Sequence, residues 1–434
     1  MLRNSRIKKL LFALLRHFIE MTVKATYLLY NKFLEKTYVF VRKEGIDTMI
    51  YLDHSATTKP NAQVMNAFVQ ANERYYANPA SLHEMGVEVN RLLGRSREQI
   101  AGILNTEPEH VVFTSGGSES NNFLIKGLAR ANTHRGKQIL VSSIEHASVL
   151  ETAKALEQEG FSVEYVKVDR HGVVDLDDLK AKLVKRETVV VSIMHINNEM
   201  GAIQPVQKIA QIIRENSRAF YHADCVQSFG KLPVQFNGEL GPDALSISGH
   251  KINGLKGTGI AALRKRTTIE PIIHGGGQEM GLRSGTVAVP QNVAVAKAAR
   301  LAIQNEAANV AHYTKWRNDI HAFLEPFEDV HVLSSNEGAP HIVSCSIRGI
   351  KGEVIVNAMQ RAGVIVSTSS ACHSKDNQIS HVVQAVGVPD EYARGVIRMS
   401  FGEGLTDADI TAFKQAFEQV LKQVRGEIKL HEMV

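Results

Sequence analysis

One lysine in this chain has the setting that covalent carbonyl chemistry needs. In Ser246-Ile247-Ser248-Gly249-His250-Lys251 it follows a short apolar run and sits in a turn of small and hydroxyl residues. A lysine there, rather than on a helix face, can point into a pocket and form a Schiff base with a carbonyl. Alone, a Ser-x-His-Lys turn reads as a surface lysine after a strand. Its meaning depends on four further polar clusters, each placed just after an apolar run. Ser115-Gly116-Gly117-Ser118 follows residues 111–114, and Glu145-His146 follows 139–142. Asn197-Asn198-Glu199 follows 189–194, and Asp224-Cys225-Val226-Gln227 follows 219–222.

Such clusters act together only if the chain between them brings them to one place. The apolar runs, with those at 244–248 and 260–263, read as short buried strands, and helical patterns at 121–131, 148–159 and 206–216 separate several of them. This alternation predicts an α/β domain with a mostly parallel sheet. Ligands of open parallel sheets bind at the carboxyl ends of the strands. Five polar clusters at five such ends therefore describe one pocket.

Pyridoxal 5'-phosphate (PLP) is a cofactor whose parts this pocket matches. Its phosphate needs backbone N–H groups at a helix start, which Gly116-Gly117-Ser118 supplies together with a hydroxyl. Its pyridine nitrogen needs a carboxylate to stay protonated, and Asp224 is the candidate. His146 could stack on the ring and move protons, Asn198 and Gln227 suit the ring hydroxyl, and Lys251 suits the aldehyde. Taken singly, a Gly-Gly-Ser turn is usually a turn and an Asp after a strand is often a helix cap. The order and placement of all five carry the inference.

The chain has 434 residues, 44% hydrophobic and 22% charged, within the range of ordinary globular proteins and long enough for two domains. A second domain is expected after about residue 310, with helical segments at 310–324 and 406–425 flanking strands near 341–347 and 398–401. Cys225, Cys345 and Cys372 are too few for a disulfide scaffold and fit a reducing, cytoplasmic compartment. Cys225 and Cys345 read as buried, whereas Cys372 lies in the polar stretch Ser367-Thr368-Ser369-Ser370-Ala371-Cys372-His373-Ser374. No clustered Cys/His spacing predicts a metal.

The first 48 residues carry ten Lys/Arg against four Asp/Glu, so their net of +6 exceeds the whole chain's +5 and leaves the body at −1. The body thus gives no sign of direct nucleic-acid binding by bulk charge. The extension is too interrupted to span a bilayer. It reads as a membrane-surface helix, as an organellar transit peptide, or as upstream sequence included by start-site choice; the last is favoured because Met49 directly precedes the strand Ile50-Tyr51-Leu52.

The motifs Tyr51-Leu52-Asp53-His54-Ser55-Ala56-Thr57-Thr58, Thr114-Ser115-Gly116-Gly117-Ser118-Glu119-Ser120-Asn121, Asn197-Asn198-Glu199, Ser248-Gly249-His250-Lys251 and Arg283-Ser284-Gly285-Thr286 resemble those of the cysteine desulfurases. These are class-V aminotransferase-like, fold-type-I PLP enzymes, and the resemblance runs from residue 49 to about 421. It implies a large PLP-binding domain at 65–310 and a smaller α+β domain from 49–64 plus 311–434 that carries the catalytic cysteine loop.

The resemblance also implies roles. Lys251 holds the cofactor aldehyde; Gly117, Ser118, Ser248 and His250 hold its phosphate. Asp224 pairs with the ring nitrogen, Gln227 with the ring hydroxyl, and His146 stacks and acts in catalysis. Asn198 orients substrate and cofactor, and Arg398 grips the substrate carboxylate. Thr286 reaches the phosphate in the neighbouring subunit of a homodimer. Cys372 takes sulfur from L-cysteine as a persulfide, leaving L-alanine, and passes it to an acceptor, either an iron–sulfur scaffold or a tRNA-thiolation enzyme. Selenocysteine lyase, or another class-V lyase or aminotransferase, is the alternative activity. Two departures from the family pattern stand out: Ser118 occupies a position often held by Thr, and Thr368-Ser369 replaces the more usual Ser-Gly before the cysteine.

Overall fold

The computed structural model describes residues 49–183, 187–234, 236, 238, 240–265, 267–368 and 379–426. The N-terminal extension, the pair Lys185-Arg186 and the loop residues 369–378, Cys372 included, lie outside the described residues.

Helices α1 (Ala62–Arg74) and α2 (Glu84–Leu104) lead into alternating elements: β1 (Val111–Thr114), α3 (Gly117–Ala131), β2 (Gln138–Ser142), α4 (Ala147–Gln158), β3 (Ser162–Val166), α5 (Leu176–Lys182), β4 (Thr188–Ser192), α6 (Val206–Asn216), β5 (Phe220–Asp224), β6 (Ala244–Ser248) and β7 (Gly259–Leu263). The seven strands form one sheet in the order β1-β7-β6-β5-β4-β2-β3. From β6 to β3 every neighbour is parallel. β7 alone is inverted, antiparallel to both β6 and β1. Inversion of the strand between them leaves β1 pointing the same way as β6, so the polar clusters do share one edge of the sheet.

The sheet is covered on both faces, as a mostly parallel sheet requires. Alternate residues of one strand enter opposite cores. Leu140, Val191, Tyr221 and Leu245 pack with α2 and α6 residues on one face, while Ile139, Val141, Val190, Phe220 and Ala244 pack with α3 and α4 residues on the other. All residues of β1, β2 and β4–β7 are buried, which is why they read as continuous apolar runs. β3, absent from the sequence expectation, is the half-exposed edge strand and has no such run.

The 36-residue helix α7 (Val289–Leu324) passes through residue 310, the expected domain boundary. Beyond it come β8 (Val330–Val332), β9 (Ile342–Ile347), α8 (Gly352–Arg361), β10 (Ser367–Thr368), α9 (His381–Ala385), α10 (Asp390–Ala393), β11 (Val396–Ser400) and α11 (Asp407–Val424). Their strands form an antiparallel sheet in the order β10-β11-β9-β8. α11 starts at a capping box in which Thr406 and Asp409 satisfy each other's backbone N–H. The segment after Tyr51 is stitched to β11: Ser400 N–H donates to the Leu52 carbonyl at 2.7 Å, and Ser55 N–H to Ser400 Oγ at 2.8 Å. That stitch carries residues 53–56 to the carboxyl edge of the large sheet.

Candidate active site

A cavity of about 270 Å³ opens at this edge. Ten predicted site residues line it: Gly117, Ser118, His146, Asn198, Asp224, Gln227, Ser248, His250, Lys251 and Arg398. Of the other two, Thr286 is exposed and outside the cavity, and Cys372 lies outside the described residues. Among the described residues no group of three His, Cys, Asp or Glu side chains is placed to hold a metal ion, and no helix is long and apolar enough to cross a membrane.

Lys251 ends a single 3-10 turn, Gly249–Lys251, directly after β6. Its Nζ donates to the Ser55 and Ala56 carbonyls at 2.5 and 2.7 Å. Asp224, the last residue of β5, is buried. Its Oδ2 accepts from Asn121 Nδ2 at 2.8 Å and its Oδ1 from the Val226 N–H at 2.9 Å. Gln227 donates Nε2–H to the Ser55 carbonyl at 3.0 Å, while its Oε1 is buried with no hydrogen-bond partner.

At the β1 end the chain turns through Gly116 into α3, whose N-terminus has no side-chain cap. The first amides of a helix lack intrahelical partners and attract anions. A Cβ on Gly117 would stand 2.8 Å from Val226 Cγ2 and 3.6 Å from Ser248 Cβ, so a side chain there would close this corner. The turn is seated by β7: a Cβ on Gly259 would come within 2.7 Å of the Gly116 backbone, an approach only glycine allows. Burial alone would raise the Glu119 carboxyl, but bonds from Arg283 and Ser115 outweigh it and hold it below its usual range. Arg283 thus occupies the one acidic side chain of the helix's first turn.

His146 caps α4 by accepting the Ser148 N–H on Nδ1 at 3.1 Å, and Ser148 Oγ is 2.8 Å from the same nitrogen. His250 has Nδ1 3.1 Å from Thr57 Oγ1; burial and then the charge of Lys251 lower its pKa to about 4, so it is neutral near pH 7.

Arg398 stands in β11 opposite Ser344 and Ser367. It is 4% exposed and donates from Nη2 to Asp53 Oδ1 at 2.8 Å and from Nη1 to the Asn198 carbonyl at 2.7 Å; its Nε has no partner. Two buried carboxyls stand behind the site, Glu199 near Arg398 and Glu145 near Asp224. Burial pushes Glu145 up to about 8 against bonds from Ser142 and the Met194 N–H, and pushes Glu199 up to about 7 against a 2.7 Å bond from Ser380. His381 donates Nε2–H to the Glu145 carbonyl at 2.9 Å. Both buried carboxyl residues therefore fasten the chain just after residue 378.

Sequence reasoning gave no role to Asp53, Asn121, Ser148 or Ser380. Asp53 and Asn121 stood in quoted motifs, but their partners are 345 and 103 residues away, so spacing carried no signal. The expectation for two thiols holds: Cys225 and Cys345 are buried, and burial raises each to about 12.

Residues 50–413 match the family model described as Aminotransferase class-V. A curated protein named cysteine desulfurase IscS, from Dictyoglomus turgidum, is 39% identical over 378 residues, 87% of this chain and 95% of its own. A solved structure described as a NIFS-like protein superposes with a TM-score of 0.80 at 37% identity, covering 86% of this chain and 100% of that one. Another, described as SspA in complex with cysteine, gives 0.70 at 30% identity over 81% and 98%. The α/β architecture with its mixed, mostly parallel sheet is the fold of these proteins.

Proposed function

Because this chain belongs to the cysteine desulfurase family of class-V aminotransferase-like enzymes, we propose that it removes sulfur from L-cysteine, leaving L-alanine, and that PLP is its cofactor. The observation that carries this reading is the convergence of Lys251, Asp224, Gln227 and Arg398 on one cavity from the strand β11 and the ends of β5 and β6. The residues fit PLP. The uncapped start of α3 and the missing Cβ at Gly117 leave room for a phosphate, and the orphaned buried Gln227 amide oxygen marks a polar place without a protein partner.

Gly117, Ser118, Ser248 and His250 would hold the phosphate, Asp224 the ring nitrogen, Gln227 the ring hydroxyl, and His146 the ring face. When bound, PLP supplies an electron sink that loosens bonds at the substrate α-carbon. Lys251 would tether the cofactor and then move a proton at that α-carbon. Arg398, fixed by Asp53, offers its remaining N–H groups to the substrate carboxylate, and Asn198 stands beside it.

A nucleophilic thiolate must then take the sulfur. Cys225 and Cys345 are buried with thiols raised to about 12, which leaves Cys372 of the three cysteines. In this step an S–S bond forms to Cys372 and the Cβ–S bond of cysteine breaks. The electron pair of that bond stays with carbon, which gains a proton and becomes the alanine methyl group. In this reading Cys372 passes its sulfur to an iron–sulfur scaffold or a tRNA-thiolation enzyme in the cytoplasm. The seven-stranded sheet would belong to the large domain and the four-stranded sheet to the small one. The exposure of Thr286 away from its own cavity supports a homodimer in which it serves the partner's cofactor.

The test is spectroscopic and chemical. Protein supplied with PLP should gain a visible absorbance band that Lys251→Ala alters or abolishes. Cys372→Ala should keep the band yet lose transfer of labelled sulfur to protein. A protein left colourless by PLP contradicts the reading.

A further inference from the structure

We propose that Asn121 and Ser148 tie Asp224 to His146 as one positioning unit, in which a single side-chain amide sets the orientation of a carboxylate on β5 and of an imidazole on α4. The proposal concerns the chain's own residues and rests on the PLP reading only for its effect on cofactor affinity.

Asn121 is 1% exposed, within α3. Its Nδ2 lies 2.8 Å from Asp224 Oδ2 and 2.8 Å from Ser148 Oγ. A side-chain amide nitrogen carries two N–H donors, so both are used. Turning the amide over would bring its oxygen against the carboxylate, so the orientation is locked. The lock has a consequence elsewhere: Asn121 Oδ1 is buried with no partner, a destabilising arrangement that an apolar side chain would avoid. With its other oxygen held by the Val226 N–H, the Asp224 carboxylate has no freedom to rotate.

The second donor acts through Ser148. A serine hydroxyl that accepts from Asn121 keeps its own proton to give away, and the acceptor 2.8 Å distant is His146 Nδ1. The Ser148 backbone N–H donates to the same nitrogen at 3.1 Å. Nδ1 is thus an acceptor twice over, and in neutral His146 the proton sits on Nε2. The group that would pair with the cofactor ring and the group that would cover its face are referenced to one amide. Asn121 and Ser148 are positioning residues: they act through Asp224 and His146.

The full chain is labelled with 15N-histidine, with and without PLP, and the His146 signals are assigned by their loss in His146→Gln. The wild type should show His146 protonated at Nε2. Ser148→Ala should move the Nδ1 signal downfield as that nitrogen loses an O–H donor, and Ser148→Thr should restore it. Asn121→Ala should move the same signal in the same direction and also weaken PLP binding about tenfold or more. Thermal unfolding midpoints identify folded variants, and if Asn121→Ala does not fold, the Ser148 pair decides. A wild-type proton on Nδ1, or an Nδ1 signal unmoved in Ser148→Ala or in folded Asn121→Ala, overturns the proposal. Failure of every form to bind PLP sinks the proposed function instead, and the cofactor-free spectra still decide the coupling.

Discussion

Arg398 and Asp53, 345 residues apart, form a 2.8 Å ion pair, with Arg398 a lining residue of the cavity. The pair holds the guanidinium by one Nη while the Asn198 carbonyl holds the other. A carboxylate ligand meets an arginine already aimed, at little further entropic expense. Asp53→Ala leaves a buried guanidinium without its anion. Its KM for L-cysteine should rise about tenfold with a smaller change in kcat, and urea unfolding should show a loss of ~3 kcal/mol. An unchanged KM would remove Asp53 from the substrate-binding machinery.

Gly117→Ala tests the proposed phosphate corner. The added methyl would stand 2.8 Å from Val226 Cγ2, so either Val226 shifts or the corner fills. PLP affinity, read by absorbance titration, should fall about tenfold or more. Gly102, exposed in α2 with nothing within 4 Å of an added Cβ, is the control: Gly102→Ala should leave affinity alone and stabilise the fold by ~0.5–1 kcal/mol.

Glu145 predicts a pH signature. Burial holds its folded carboxyl at about 8, against an ordinary value of 4.5. Between these values the folded chain keeps a proton that the unfolded chain has lost, so rising pH favours unfolding. This contribution is fully present below about pH 4.5 and lost as pH rises through about 8. His54, His195, His222 and His250, lowered to about 4 mainly by burial, act in the opposite sense below their ordinary 6.5. The clean measurement is therefore the wild type against Glu145→Gln by urea unfolding. Relative to the variant, the wild type should lose roughly 3–4 kcal/mol between pH 5 and 9, at about 1.4 kcal/mol per pKa unit. A constant difference across that range contradicts a buried, proton-holding Glu145.

Ser380 and His381 anchor the chain immediately after residue 378, through Glu199 and the Glu145 carbonyl. Ser380→Ala should slow single-turnover persulfide formation on Cys372 about tenfold, while PLP affinity stays at the wild-type value. Equal losses of both would mean that Ser380 supports the fold at large rather than the placement of the thiol.

The parts of the molecule legible in the sequence are those with local signals. The strands β1 and β6 and the helix α6 match the expected spans residue for residue, because full burial on both faces, or a strong apolar stripe, writes itself into adjacent residues. Lys251 and Asp224 were legible as polar residues ending apolar runs. β3 was not, since only Val166 of its residues is buried and the rest leave no apolar run. Nor were the roles of Asp53, Asn121 and Ser148: a carboxylate's partner from another element leaves no periodicity in either segment. The inverted direction of β7 was equally silent, because strand direction is decided by the connection and by Gly259 fitting against Gly116.

That inverted strand also sets a timetable. Among the described strands β1 pairs with β7 alone, so the Gly116–Ser118 turn lacks its β7 support until residue 263 has been made. Synthesis at ~5–20 residues per second separates the two strands by roughly seven seconds to half a minute. Arg398 and its tether to Asp53 arrive later still. A nascent chain therefore carries this turn without its β7 seat while residues 119–263 are being made, and a ribosome that stalls before residue 259 releases a chain without the glycine that fits against Gly116.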